Sequence, residues 1–133
     1  MWQQPKTDWK AGDYFNIGDY NRIKGNINEI RAQALTLWPD FEFKEMGEDK
    51  TYQDYRFYAD EINLFEANID FVCAGTYPFE VGVSQAYSAN GRFIKWDELN
   101  RIESACLRIY LNIQGRANGI KRLAFTLNGG VFE

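Results

Sequence analysis

Apolar residues recur along three stretches of the chain in alternating steps of three and four positions. They are Tyr20, Ile23, Ile27, Ile30, Ala34 and Leu37 in the first stretch, Ile62, Phe65, Ile69 and Val72 in the second, and Leu99, Ile102, Cys106, Ile109 and Ile113 in the third. This spacing lines up apolar side chains on one face of an α-helix, as in coiled coils and helical bundles. The pattern predicts helices at about residues 17–38, 59–74 and 96–114.

The residues that flank these stretches are typical of helix ends. Asn16 is suited to cap the first helix, and Asp19 places a negative charge in its first turn. Pro39 cannot continue that helix, and Gly75 and Gly115 are well placed to end the second and third. Isolated helices of this length are marginal in water, so we expect the three to pack together at shallow angles in a bundle.

Each predicted helix begins with a related phrase that contains an asparagine. The aligned phrases are Asp19-Tyr20-Asn21-Arg22-Ile23, Glu61-Ile62-Asn63-Leu64-Phe65 and Glu98-Leu99-Asn100-Arg101-Ile102. Five residues after the aligned asparagine stand Asn26, Asn68 and, in the third copy, Ala105. The repeated asparagines could form a ligand site, or they could bind turns, loop backbone or neighbouring helices near each helix start. We prefer the second interpretation, because the apolar positions recur more faithfully than the polar ones.

The connections and the tail contain alternating apolar residues that predict short β-strands. Such alternation occurs at Phe41 and Phe43, at Phe79, Val81 and Val83, and at Leu123, Phe125 and Leu127. Asn90-Gly91 is a turn signal that favours a hairpin, and Asn128-Gly129-Gly130 breaks the last alternation. The predicted fold is therefore mainly α, with a three-helix bundle-like core and short strands or hairpins in the connections and the C-terminal tail.

Residues 1–15 are predicted to form an extended arm, because they are rich in aromatic residues and have no helical periodicity. The arm either lies across its own domain or docks on a neighbouring subunit. The chain, 1–133, is then a single domain with this arm, a repeated-helix core at 16–115 and a C-terminal strand or tail at 116–133. The residues predicted to contact other subunits lie in the arm and the tail: Trp2, Trp9, Tyr14, Phe15, Leu123, Phe125 and Leu127.

Composition and charge narrow the classes of function. The chain has 133 residues, a net charge of −4 and scattered basic residues, so we expect no nucleic-acid partner. It has no apolar run that could span a bilayer and no signal peptide, which predicts synthesis in a cytoplasm and no membrane insertion. Cys73 and Cys106 fit that compartment as buried thiols. Aromatic residues make up 17% of the chain, which suits both a core and contact surfaces.

The chain has few of the residue types that carry catalysis. Histidine is absent, which removes the commonest general base and metal ligand. Two cysteines without histidine do not make a zinc site, and the sequence lacks calcium-loop and phosphate-loop signatures. Adjacent carboxylates such as Asp60-Glu61 and Asp97-Glu98 fit helix N-termini better than a catalytic pair. We therefore expect no enzymatic activity, no cofactor and no metal ion.

The repeated phrase, at residues 19–26 and 98–103, resembles a helix start of the "NRIE-x-N" type. Small structural proteins from the tail region of bacteriophages and prophages of Gram-positive bacteria carry this motif, often after a Trp-containing lead-in similar to residues 7–13. The resemblance covers much of residues 5–110, and residues 123–130 are also similar. It implies a non-enzymatic virion protein of the tail, baseplate or fibre-attachment region, assembled in the bacterial cytoplasm. Its partners would be other phage structural proteins and further copies of itself.

Two other functions are compatible with the sequence. A carbohydrate-binding module that contacts the host cell wall would stack aromatic rings on sugars. The rings available for this are Trp2, Trp9, Trp38, Trp96, Tyr52, Tyr55 and Tyr58. A small hydrolase would instead use carboxylates such as Asp54 or Asp60.

Overall fold

The computed structural model of the chain describes residues 2–51, 57–76, 87 and 94–129. This part of the chain contains three α-helices: α1 at Ile17–Ala34, α2 at Ala59–Gly75 and α3 at Trp96–Gly129. Each helix packs against the other two. The predicted mainly α fold with a three-helix bundle-like core is therefore confirmed.

The three helices run parallel, with all their starts at one end of the bundle. Near the starts, the rings of Tyr20 on α1 and Phe65 on α2 lie 5.0 Å apart. Near the ends, Gln114 on α3 donates a hydrogen bond to the side chain of Gln33 on α1. Phe41, a few residues after α1, lies against Gly75, the last residue of α2. Because neighbouring helices are parallel, each connection must return along the bundle before the next helix can begin.

The apolar stripes of the helices form the core, as their spacing predicts. The predicted stripe residues from Tyr20 to Ala34, from Ile62 to Val72 and from Leu99 to Ile113 are all at most 4% exposed. Full burial of one such aliphatic or aromatic side chain is worth roughly 1.5–3 kcal/mol, so these stripes supply most of the driving force for packing. Leu37 is only half-buried, because α1 ends before it.

The predicted ends of α1 and α3 are wrong. α1 ends at Ala34, and residues 35–37 form a turn in which Leu37 donates its backbone N–H to the carbonyl of Ala34. α3 does not end at Gly115 but continues to Gly129. Glycine costs about 1 kcal/mol relative to alanine in a helix, which is too little to end one when good helix formers follow. The residues that continue it include Arg116, Ala117, Lys121, Arg122, Leu123 and Ala124.

The predicted C-terminal strand is also wrong, because Leu123, Phe125 and Leu127 lie in the last turns of α3. Apolar residues at alternate positions satisfy the period of a strand, but the pair four residues apart satisfies the period of a helix equally well. Phe41 and Phe43 are outside any strand as well. The strand predicted at residues 79–83 and the hairpin at 90–91 lie outside the described residues.

Within the described ranges, none of the helices combines sufficient length with enough apolar residues to cross a lipid bilayer.

Gly75, at the end of α2, provides a test of how tightly Phe41 packs there, and Gly25, in the middle of α1, provides a comparison. A Cβ on Gly75 would lie 2.5–2.8 Å from side-chain carbons of Phe41. Overpacking of this kind costs roughly 1–3 kcal/mol, so we expect Gly75→Ala to lower the free energy of unfolding by that amount. A Cβ on Gly25 would have open space around it. Gly25→Ala should therefore raise the free energy of unfolding by roughly 0.5–1 kcal/mol. Urea unfolding measures both, and changes of the same sign would contradict this packing.

Candidate functional site

The first asparagine of each repeat binds the backbone of a residue that lies outside the helices. Its side-chain oxygen accepts the backbone N–H of one residue, and its side-chain NH₂ donates to the carbonyl of that same residue. The three pairs are Asn21 with Lys50, Asn63 with Tyr87, and Asn100 with Trp9, at N–O distances of 2.8–3.0 Å. We call this paired arrangement a carboxamide clamp. It confirms the interpretation that these asparagines bind loop backbone.

The second asparagine of the first two repeats forms the same clamp. Asn26 on α1 exchanges two hydrogen bonds of 2.8 Å with the backbone of Gln3. Asn68 on α2 exchanges bonds of 2.9 and 2.8 Å with the backbone of Lys44. Both asparagines are at most 1% exposed. The third repeat has the buried residue Ala105 at this position, so its side chain cannot form a clamp.

The clamps hold segments that lead into the helices. Residues 3–9 precede α1 and are held by Asn26 of α1 and Asn100 of α3. Residues 44–50 precede α2 and are held by Asn68 of α2 and Asn21 of α1. In both segments the two clamped residues are six positions apart. Residues 3–9 therefore lie between α1 and α3, and residues 44–50 lie between α2 and α1.

The order of the first clamps gives the domain approximate threefold symmetry. Asn21 of α1 holds the segment that leads into α2, and Asn63 of α2 holds Tyr87, which precedes α3. Asn100 of α3 holds the arm that leads into α1. The three repeats thus form a closed ring although the chain itself does not connect α3 back to α1. The arm occupies the place that a third connection would take.

Buried ion pairs join the helices beside the clamps. Arg22 of α1 binds Glu103 of α3 at 2.7 and 2.9 Å, and Arg101 of α3 binds Glu66 of α2. Burial alone would lower the pKa of the Arg22 guanidinium, but hydrogen bonds to Glu103 and Asp19 hold that pKa above its ordinary value. In each pair the arginine directly follows the clamp asparagine, and the glutamate stands three positions after the asparagine of the neighbouring helix.

The interface between α1 and α2 lacks such an arginine–glutamate pair. Lys24 on α1 stands where the other repeats have glutamate, and Leu64 on α2 stands where they have arginine. The Lys24 ammonium instead contacts the Gly47 carbonyl at 2.8 Å and the Asp49 carboxylate at 2.6 Å. An arginine in place of Leu64 would bring a second cation toward Lys24, so the substitutions in the two repeats are complementary.

Glu103 connects the arm to the helical core. Its carboxylate is 1% exposed and accepts hydrogen bonds from the Arg22 guanidinium, the Lys6 backbone N–H at 3.0 Å and the Trp9 indole N–H at 2.6 Å. A carboxylate with this many charged and polar donors is satisfied despite its burial. We did not predict this role, although a glutamate three positions after a clamp asparagine is the signal that marks it.

Lys50 is a second buried charge that sequence reasoning missed. Its side chain is 2% exposed, and its ammonium lies 2.9 Å from a carboxylate oxygen of Glu61. The same ammonium lies 4.9 Å from the ring centroid of Tyr20 and 5.5 Å from that of Tyr58. Cation–π contacts of this type stabilise a desolvated cation. Glu61 also accepts the backbone N–H of Tyr58 at 2.9 Å, as expected for a carboxylate at a helix start.

The predicted contact residues of the arm lie mostly against their own domain. Trp2 stacks on Tyr110 with the ring centroids 4.0 Å apart, and Trp9 is 3% exposed. Phe15 packs against Phe57 at 4.9 Å, whereas Tyr14 is 91% exposed. The arm is therefore bound in the groove between α1 and α3 of its own chain.

The remaining predicted contact residues lie in α3. Leu123, Phe125 and Leu127 belong to its last turns.

The structure also places the residues proposed for other chemistry. Cys73 and Cys106 are buried free thiols, as predicted. Within the described residues, no group of three or more acidic, cysteine or histidine side chains could hold a metal ion. Asp60 is exposed in the first turn of α2, and Asp54 lies outside the described residues.

Comparison of the chain with protein-family models, with curated proteins and with solved structures finds no match.

Two asparagines of α1 test the clamps directly. Asn26 is buried and clamps Gln3, whereas Asn28 is exposed on the same helix. Removal of the clamp leaves buried polar groups unpaired, so Asn26→Ala should lower the free energy of unfolding by roughly 1–3 kcal/mol. It should also speed hydrogen exchange at the Gln3 amide. Asn28→Ala is the control and should leave both quantities nearly unchanged. Similar behaviour of the two variants would show that the clamp does not hold the arm.

Two buried groups make the stability of the fold dependent on alkaline pH. Burial raises the pKa of the Cys106 thiol, and burial together with a hydrogen bond to Glu98 raises that of the Tyr87 hydroxyl. Above pH 9 for cysteine and 10 for tyrosine the unfolded chain releases these protons while the folded chain retains them. The unfolded state then binds fewer protons, so the free energy of unfolding falls as pH rises, by up to about 1.4 kcal/mol per pH unit for each group.

Urea unfolding between neutral pH and pH 11 measures this slope. The Cys106→Ala variant should be less stable throughout, because it loses packing, but its stability should fall less steeply just above pH 9. An unchanged slope in that variant would exclude Cys106 as a source of the dependence.

Proposed function

We propose that this chain is a non-enzymatic structural component of a phage or prophage virion, in the tail, baseplate or fibre-attachment region. It would act by protein–protein assembly, with other phage structural proteins and further copies of itself as partners. It would reach the particle during assembly in the bacterial cytoplasm. The proposal starts from the resemblance of the repeated phrase to the "NRIE-x-N" helix start of such proteins.

The observation that carries the proposal is the internal use of that phrase. Asn21, Arg22 and Asn26 in the first repeat, and Asn100, Arg101 and Glu103 in the third, bind backbone and side chains of their own domain. Residues used in this way specify a scaffold. A resemblance carried by them therefore supports a shared architecture, which is what a family of particle components has in common.

The wall-glycan alternative has less support among the described residues than the sequence suggested. Trp9 is buried, Trp2 is stacked on Tyr110, and the Trp38 ring lies under the Arg116 guanidinium at 4.7 Å. Tyr58 and Trp96 are the exposed rings among those proposed for sugar stacking that the structure describes. Binding of the whole chain to cell-wall glycans on an array, lost in Tyr58→Ala and Trp96→Ala, would favour this alternative.

The assembly proposal is tested by co-expression of the full chain with the products of neighbouring genes in its own genome. We expect a stable complex with at least one tail, baseplate or fibre protein, seen by size-exclusion chromatography with light scattering. Exposed surface variants such as Asn28→Ala provide a folded control that should bind equally well. A chain that stays monomeric at high concentration and binds none of these proteins would contradict the proposal.

A further inference from the structure

The groove between α1 and α3 holds the arm through five hydrogen bonds to the arm's backbone. The carboxamides of Asn26 and Asn100 exchange two each with residues six positions apart, and the Glu103 carboxylate accepts the N–H midway between them at 3.0 Å. The arm residues bound in this way are Gln3, Lys6 and Trp9. Backbone contacts of this kind give a groove affinity for a peptide segment, as an exposed sheet edge has for an added strand.

Side chains of the arm make the fit to this groove specific. The Trp9 ring is 3% exposed, and its indole N–H donates to Glu103 at 2.6 Å. Pro5 is also buried, and the Trp2 ring stacks on Tyr110 of α3 with the centroids 4.0 Å apart. The groove therefore selects a segment that carries tryptophan at both ends, because each ring has its own partner on α3.

The helices orient the groove's side of this contact by themselves. Arg22 of α1 binds the Glu103 carboxylate at 2.7 and 2.9 Å, and it also donates to Asp19 at 2.8 Å. Glu103 is thus held in place by a partner outside the arm. The groove is a binding site for a peptide segment, and the arm is the ligand that fills it.

A short exposed linker, residues 10–14, joins the bound part of the arm to α1. In the linker, Asp13 donates its backbone N–H to the Lys10 carbonyl at 3.1 Å, and its carboxylate accepts the Lys10 N–H at 2.9 Å. Gly12, within this turn, has a φ of +94°, a left-handed value that glycine adopts far more readily than other residues. The path of the arm into its own groove therefore depends on this turn.

The arm is connected to only one of the two helices that bind it. Residues 44–50 lie between α1 and α2 and belong to the connection that joins these two helices. The arm lies between α1 and α3, the first and third of the described helices, and leads into α1 alone. The arm of a second copy can therefore fill this groove without separating the helices of either copy.

We infer that the groove between α1 and α3 of one copy accepts residues 2–9 of the arm of another copy. The inference rests on the proposed assembly role and specifies the contact that would join the copies. The hydrogen bonds to Asn26, Asn100 and Glu103 and the stacking on Tyr110 are kept in this exchange, and the linker changes its conformation. Exchange of an identical segment between copies is a low-cost route to association.

Protein concentration decides between the two arrangements. A short flexible linker gives the arm of the same chain an effective concentration in the millimolar range. We therefore expect little exchange in micromolar solutions and substantial exchange in the millimolar range, as in a particle where copies are packed together. Reciprocal exchange would give closed dimers, and exchange in one direction would give chains of copies.

Two full-length variants test the exchange by complementation. Trp2→Ala with Trp9→Ala, the arm variant, weakens the arm and leaves the groove intact, whereas Asn26→Ala with Asn100→Ala, the groove variant, does the reverse. Neither chain has a matched arm and groove of its own, but a mixture supplies one such pair between two chains. In sedimentation velocity at micromolar concentration, we expect the mixture to associate at least about tenfold more strongly than either variant alone.

A third asparagine of the same helix provides the matched control. Asn28 is exposed on α1, so Asn28→Ala leaves the chain's own arm in its own groove. Mixed with the arm variant, it should associate no more than either chain does alone. Circular dichroism confirms that each variant folds. If the double variants do not fold, Trp2→Ala and Asn26→Ala replace them, and the same order of association is expected.

The linker provides a second test, which leaves the arm and the groove intact. A Cβ at Gly12 would meet no atom within 4 Å, but valine is strained at a φ of +94°. Gly12→Val thus disfavours the turn without a clash, and it should raise the association constant of the full chain at least about fivefold. Ala11→Val, at the neighbouring exposed residue, is the control and should leave that constant unchanged.

Two results would overturn the inference. A mixture of the folded arm and groove variants that associates no more than each variant alone would show that the groove does not accept the arm of another copy. An original chain and a Gly12→Val chain that both stay monomeric up to millimolar concentration would exclude the exchange as well. Either result leaves the proposed function intact if the chain binds a tail, baseplate or fibre protein, whereas arm exchange without such binding would contradict the proposed function alone.

Discussion

The fold depends on hydrogen bonds between asparagine side chains and the backbone of extended segments. Parallel helices in one chain require connections that return along the bundle, and an extended connection carries peptide groups that need partners when they are buried. In a β-sheet, the peptide groups of the neighbouring strand are these partners. Here the carboxamide of asparagine, which has a donor and an acceptor side by side as a peptide group does, takes the place of that neighbour. The clamps thus let extended segments pack between helices without a sheet.

The parallel arrangement also creates an electrostatic problem that the repeated phrase resolves. Three helix starts at one end bring together the positive ends of three helix dipoles. The phrase places a carboxylate two positions before each clamp asparagine, at Asp19, Glu61 and Glu98. Asp19 and Glu61 accept the backbone N–H of the residue that caps their helix, and Glu98 accepts the Tyr87 hydroxyl at 2.6 Å. The clamp and the compensating charge therefore come from the same few residues.

Periodicity predicted the core well, because burial of one helix face requires apolar residues at steps of three and four positions. It predicted the helix ends poorly, because a single glycine such as Gly115 costs less than the neighbouring residues gain by remaining helical. The clamps were predicted only as one of two alternatives. Asn21 and Asn26 show why: a carboxamide that binds a ligand and one that binds backbone look alike in sequence, and the partner Lys50 is 29 residues away from Asn21.

The charged positions that follow the clamp asparagines determine which helices can be neighbours. Arg22 with Glu103 and Arg101 with Glu66 place opposite charges across two interfaces. A buried pair of this kind adds little net stability, but breaking it leaves an uncompensated charge, so it penalises wrong pairings strongly. If α1 and α2 exchanged places around the bundle, Lys24 would lie against an arginine of the neighbouring helix. The three repeats therefore resemble one another in their apolar positions and differ in the charges that fix their order.

The polar side chains of the repeated phrase bind groups of their own domain, so the phrase gives little information about partners. The clamp asparagines, Arg22 and Glu103 bind groups within the domain, and a buried group with all its partners within the domain has no capacity left for another molecule. In the proposed assembly role, recognition would come from residues outside the phrase, such as Tyr14, Tyr58 and Trp96, which differ in type and in position relative to it.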